Sequence, residues 1–179
     1  MKNYLLLSIF FTFLLLSCSN DLQELKKINF SPNDPNERSK NLHIVYTDSG
    51  YAKVEIFAKI AETFSKPEQI VKLKDSVEVK FFNEEGEVIS ILTSLYGEVL
   101  EKKGLITVRD SVILRNLEKK QQLESEELHW NQKDSIIFTD KQVVVRTDEA
   151  LFFGKGLRTR QDFSTYEFIK PEGKIKIKD

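Results

Sequence analysis

Residues 95–147 read LYGEVLEKKGLITVRDSVILRNLEKKQQLESEELHWNQKDSIIFTDKQVVVRT. Apolar residues alternate with charged ones over short runs, and turn residues recur at short intervals, as in a ladder of β-strands. Val112-Ile113-Leu114-Arg115 and Val143-Val144-Val145-Arg146 hold equivalent places, each an apolar triplet closed by Arg and preceded by an Asp, Asp110 or Asp140. Upstream, Asp75-Ser76-Val77-Glu78-Val79-Lys80 repeats the theme, and Gly173-Lys174-Ile175-Lys176-Ile177-Lys178 repeats it again. Counted from Val77, Val112, Val143 and Ile175, the intervals are 35, 31 and 32 residues. Each unit holds two or three strands and no helical pattern. One copy cannot bury its own apolar face, so the copies stack or pair edge to edge into one β core.

Outward from this stretch, strands are predicted over 42–47, 51–60, 71–82, 87–93, 95–100, 105–109, 112–117, 122–130, 134–139, 142–146, 151–153, 157–160, 165–168 and 174–178. Asp48-Ser49-Gly50 and Asn83-Glu84-Glu85-Gly86 supply hairpin turns. Many short antiparallel strands and no convincing helix predict an all-β fold, a sandwich or an open twisted jelly roll, over residues 42–179.

The phase of the alternation sets the interior. Arg109, Arg115 and Arg146 must face water, so Ile106, Val108, Val112, Leu114, Val143 and Val145 face in. By the same rule Val54, Ile56, Val77, Val79 and Phe81 point inward, and Leu128, Trp130, Ile136 and Phe138 continue the set. Such a lining contains hardly any ionisable group.

The chain has 179 residues, enough for one domain with a sizeable core. Its 27 Lys and Arg against 28 Asp and Glu leave no basic footprint for nucleic acid. The first residues are different material: Met1-Lys2-Asn3, an apolar run from Tyr4 to Leu16, then Ser17-Cys18. Residues 1–17 read as a secretory signal peptide, too short for a span of about 20 apolar residues. Leu15-Leu16-Ser17-Cys18 looks like a bacterial lipobox, and Cys18 is the only cysteine. Resemblance to bacterial lipoproteins implies acylation of Cys18 (a diacylglyceryl thioether and an acyl amide such as palmitate) and a membrane anchor. The alternatives are an ordinary signal peptide ending near a Cys, or a buried free thiol. Residues 18–41, polar and carrying Pro32 and Pro35, read as a tether.

For catalysis the chain offers little. His43 and His129 are its two histidines, far apart and with no carboxylate or cysteine at metal-ligand spacing. There is no nucleophile elbow, no Cys-His pair and no glycine-rich phosphate loop. Neither enzyme, metal site nor cofactor is expected. The last strand places Ile175 and Ile177 on one side and lysines on the other. It reads equally as an edge that pairs with a strand of another protein and as an edge blunted by charge.

Several short motifs occur in order: Leu95-Tyr96-Gly97-Glu98-Val99-Leu100, Asp110-Ser111-Val112-Ile113-Leu114, the Leu-x-Trp of Leu128-His129-Trp130, the Thr139-Asp140 turn before Val143, and Gly154-Lys155-Gly156-Leu157. Together with the lipobox and tether they resemble the LptC family, the periplasmic lipopolysaccharide-export component of an inner-membrane ABC transporter. The resemblance implies an open β-jelly roll whose interior takes the acyl chains of lipid A. It also implies edge pairing with the transporter's permease subunits on one side and with an LptA-like bridge protein on the other. The better-known family pattern is anchored by a transmembrane helix, whereas this chain offers Cys18, which leaves inner or outer membrane open. The competing expectation is an outer-membrane structural or assembly lipoprotein with a filled β core.

Overall fold

Alternating side chains and short polar turns carry the chain back and forth nine times. The computed structural model describes residues 31 and 33–176. It contains β1 (Glu37–Asp48), β2 (Tyr51–Phe64), β3 (Ile70–Phe82), β4 (Val88–Leu100), β5 (Leu105–Asn116), β6 (Gln121–Asn131), β7 (Ile136–Arg146), β8 (Ala150–Arg160) and β9 (Tyr166–Lys176). All nine form one antiparallel sheet in which spatial order equals chain order. Only β1 and β9 lack a neighbour on one side among the described residues, so the fold is an open all-β jelly roll. Cys18, the first part of the tether and Ile177 lie outside the described residues. β1 starts at Glu37, inside the stretch read as tether.

The strands are fewer and longer than expected. Segments 105–109 and 112–117 are one strand, β5; 134–139 and 142–146 merge into β7, and 151–153 and 157–160 into β8. The residues between them are bulges, not turns. Asp110 and Ser111 take φ of 65° and 55°, and Asp75 and Ser76 take 58° and 87°. Asp visits this left-handed region more readily than most residues. Two such residues bend a strand without reversing it.

These irregularities line up. Pairing slips between Ala58 and Ile60, Lys74 and Val77, Thr93 and Tyr96, Arg109 and Val112, Ser125 and His129, and Thr139 and Gln142. One fold line therefore crosses the sheet from β2 to β8. It divides each strand into a part next to the β1–β2, β3–β4, β5–β6 and β7–β8 turns (leaf one) and a part next to the other turns (leaf two). Phe81 of leaf one meets Trp130 of leaf two edge to face, centroids 5.1 Å apart, so the leaves close on each other. The sequence repeat has its cause here: Val77, Val112 and Val143 are the first inward residues past the fold line on β3, β5 and β7. The period is one strand pair with its turns.

Candidate functional site

The apolar face of the folded sheet is the candidate site. Leaf one contributes Val54, Ile56, Val77, Val79, Phe81, Leu92, Val112, Leu114, Leu123, Val143 and Val145; leaf two contributes Leu73, Val99, Ile106, Val108, Leu128, Trp130, Ile137 and Leu157, all buried. Two of the positions expected to face in do not. Phe138 is 36% exposed and Ile136 only half-buried. The reason is the β6–β7 hairpin, whose register sets Trp130 opposite Ile137 and His129 opposite Phe138. Directly opposed residues share a face, so Ile137 goes in with Trp130, and Phe138 goes out to lie against His129, centroids 5.2 Å apart. Ile175 on β9 is 58% exposed and packs on neither leaf.

Leu73, Leu92, Val99, Leu123, Ile137 and Leu157 are inner positions beyond those the pattern picks out. Leu73 was within reach of it, since it keeps the parity of Val77 across the bulge. Phe163 carried no such signal: it lies in the β8–β9 turn between Asp162 and Ser164, yet is fully buried.

Outside, both leaves carry charges: on leaf one Lys80 bridges Glu55 and Glu78, and the larger network lies on leaf two. Glu62 is the one charged side chain among the described buried residues, and it faces away from Leu73, held by Arg38 at 2.5 Å and Lys74 at 2.6 Å. The Lys74 ammonium, and after it the Arg38 guanidinium, keep the Glu62 carboxyl below its ordinary range against the opposing effect of burial. Farther along, Arg109 bridges Glu98 and Glu127, both at 3.1 Å, and His129 Nε2 lies 3.2 Å from Glu127. Tyr96 Oη donates to Glu98 at 2.6 Å; burial first, and then that carboxylate, push the phenol up so that it stays protonated. Lys74, Tyr96, Arg109 and Glu127 flank the fold line, so this row braces the bend from outside. The paired charges outside leave the inner face free of them.

Inside, the leaves are closed. Between Val79, Phe81, Leu92, Ile106, Val108, Leu128, Trp130 and Ile137 the residual space is about 10 Å³, no more than one water needs. Opposite the fold line the rims leave an open recess of about 940 Å³, walled by Tyr46, Lys53, Asn83, Glu85, Arg160 and Asp162. Val54 and Trp130, both part of the apolar interior, also line this recess, so it abuts the interior directly.

An apolar inner face in an open, single-sheet jelly roll suits an amphiphile with long chains. A family model described as lipopolysaccharide-assembly, LptC-related, matches residues 4–170. The chain belongs to the LptC family. Membership carries a role in lipopolysaccharide transport, as a component of the Lpt system on the periplasmic side. No curated protein matches the chain. Among the described residues no helix is long and apolar enough to cross a membrane. The LptC motifs now have structural places: Asp110-Ser111 and Thr139-Asp140 sit on the fold line, and Leu128 and Trp130 line the interior. Gly154 and Gly156 lie where β9 crosses β8 too closely for a side chain.

Proposed function

We propose that this LptC protein is a non-enzymatic carrier that takes the acyl chains of lipid A between its two leaves and hands them on. The observation that carries the reading is the inner face itself: nineteen buried apolar strand positions from two leaves, joined by uncharged buried polar side chains such as Ser90, Asn116 and Gln121, with Glu62, the one buried carboxylate among the described residues, turned outward and paired. Transfer needs the leaves to part, because the interior is closed in this conformation. Parting exchanges side-chain contacts for contacts with acyl methylenes, each worth about 0.8 kcal/mol when buried. Apolar contact is lost on one side and regained on the other, and the sheet ladders are kept.

The two open edges supply the rest of the proposal. One edge pairs with a permease subunit of the ABC transporter and the other with an LptA-like bridge protein, with Ile175 of β9 part of one of these pairings, so that apolar interiors align across modules. Cys18 carries the lipid that anchors the chain on the periplasmic side of the inner membrane, with residues 18–36 as tether.

The filled interior favours one other reading, a structural or assembly lipoprotein whose core never opens. A photo-crosslinking amino acid at Val112 or Ile137, in cells with an active transporter, separates the two. A carrier yields lipopolysaccharide adducts at both positions and few at the outward-facing Ile136. A well-expressed protein with no adduct at any inward position refutes the carrier and leaves the structural module.

A further inference from the structure

The β8–β9 turn is built unlike a solvent connection between two strands at a sheet edge. Phe163 is fully buried at φ 50°, a left-handed conformation that a bulky residue keeps only where its surroundings impose it. The backbone donors of the turn stay on its own leaf: Gln161 N–H bonds Ser135 O at 3.0 Å and Phe163 N–H bonds Arg160 O at 2.9 Å. Its carbonyls are held from the opposite leaf. Ser90 Oγ donates to Gln161 O at 3.1 Å, Asn116 Nδ2 to Asp162 O at 2.7 Å, Gln121 Nε2 to Phe163 O, and Lys119 Nζ to Ser164 O at 2.5 Å. Four consecutive carbonyls thus receive donors from β4, β5, β6 and the β5–β6 turn. Among the described residues, every hydrogen bond tying this turn to leaf one comes from a side chain. The rims can therefore separate there without unpairing a strand.

We infer that this turn is a latch that occupies the ligand's own place. The Phe163 ring stands where an acyl chain enters. The carbonyls of residues 161–164 stand where the ester and amide carbonyls at the heads of the acyl chains bind, on the donor row Ser90, Asn116, Lys119 and Gln121. Asn116 and Gln121 are buried amides, costly to leave without acceptors, so the row holds either the turn or a ligand of the same chemistry. This inference rests on the carrier reading above. Trp130, the only tryptophan, donates from Nε1 to Gln161 Oε1 at 3.2 Å and lines both the recess and the interior, so its emission follows the latch.

The test uses the purified full chain and lipopolysaccharide. Phe163→Gly and Phe163→Ala both remove the plug, the first also relieving its backbone, and both leave the donor row intact. Each should bind about threefold to tenfold tighter, roughly the worth of one hydrogen bond, with Trp130 more accessible to acrylamide. A Lys119→Cys, Ser164→Cys protein joined by a short bismaleimide should bind at least about tenfold more weakly than the same protein before joining; single-cysteine variants control for reaction at Cys18. Equal binding by joined and unjoined protein, with Val112 still crosslinking to lipid, overturns the latch and leaves the carrier reading intact. Absence of binding in every form, the unaltered chain included, overturns both.

Discussion

Replacing Gly154 with alanine should loosen β9 from β8 and lower the melting temperature by about 3–9 °C. A methyl group built on Gly154 stands 2.4 Å from Cδ1 of Phe168 and 2.7 Å from the carbonyl oxygen of Lys170. The ring can swing aside. The carbonyl cannot, because it belongs to β9 directly across the ladder, where Lys155 pairs with Lys170 and Gly154 with Pro171. Forcing an extra carbon into such a contact costs about 1–3 kcal/mol, and a domain of this size loses about 3 °C per kcal/mol. Gly173, on the facing strand, is the control: a Cβ there meets nothing within 4 Å, so its alanine variant should melt within about 1 °C of the parent. Thermal unfolding followed by far-ultraviolet circular dichroism measures both, and amide exchange along β9 shows where the Gly154 variant opens. Equal melting temperatures for the two variants, with unchanged exchange in β9, would refute the claim that close approach of backbone dictates glycine at position 154.

Three further outcomes follow from particular contacts. Ile137→Ala should cost about 3 kcal/mol and Ile136→Ala less than about 1; urea midpoints that reverse this order would return Ile136 to the interior. Asp110→Val should destabilise by about 1–2 kcal/mol because a branched side chain resists left-handed backbone, whereas Asp110→Gly should be neutral within about 0.5; chemical denaturation of the pair decides whether the fold line depends on that conformation. The folded Glu62 carboxyl titrates below its ordinary 4.5, so its contribution is fully present above that pH and is lost as pH falls through the lowered value. Glu62→Gln should therefore be less stable than the parent at pH 7, with the gap shrinking toward pH 3, and a gap independent of pH would remove Arg38 and Lys74 as its cause.

Strand content and most of the inner face were readable because alternation survives any error in strand ends: Val77, Val79, Val112 and Leu114 needed only their own parity. Phase was lost at the β6–β7 hairpin, since the face of β7 depends on which residue the turn sets opposite Trp130, and turn residues 132–135 do not fix that register by themselves. Asp110-Ser111 divides two predicted strands and Thr139-Asp140 reads as a turn, because the same short polar side chains suit both a reversal and a bulge; Asp75-Ser76 is read correctly as part of one strand. Only the ladder on either side distinguishes them. The repeat was visible, while its meaning, a fold line met once per strand pair, needed the sheet. Phe163 was hidden for another reason: its burial comes from donors 42–71 residues away along the chain, and no local pattern encodes such partners.

Identity of chain order and spatial order has a consequence for how the molecule assembles. Each strand finds its partner in the segment made just before it, so every ladder closes a short loop, and short loops close quickly. The sheet can grow one hairpin at a time from β1 toward β9, with a competent edge for the next strand at every stage. Bending along the fold line requires several strands to be present, and the β8–β9 turn reaches its donors only after β4, β5 and β6 stand in place. The slowest, most long-range step of assembly is thus the closing of the rim, and a chain stopped short of that step would already own its sheet and lack only its closure.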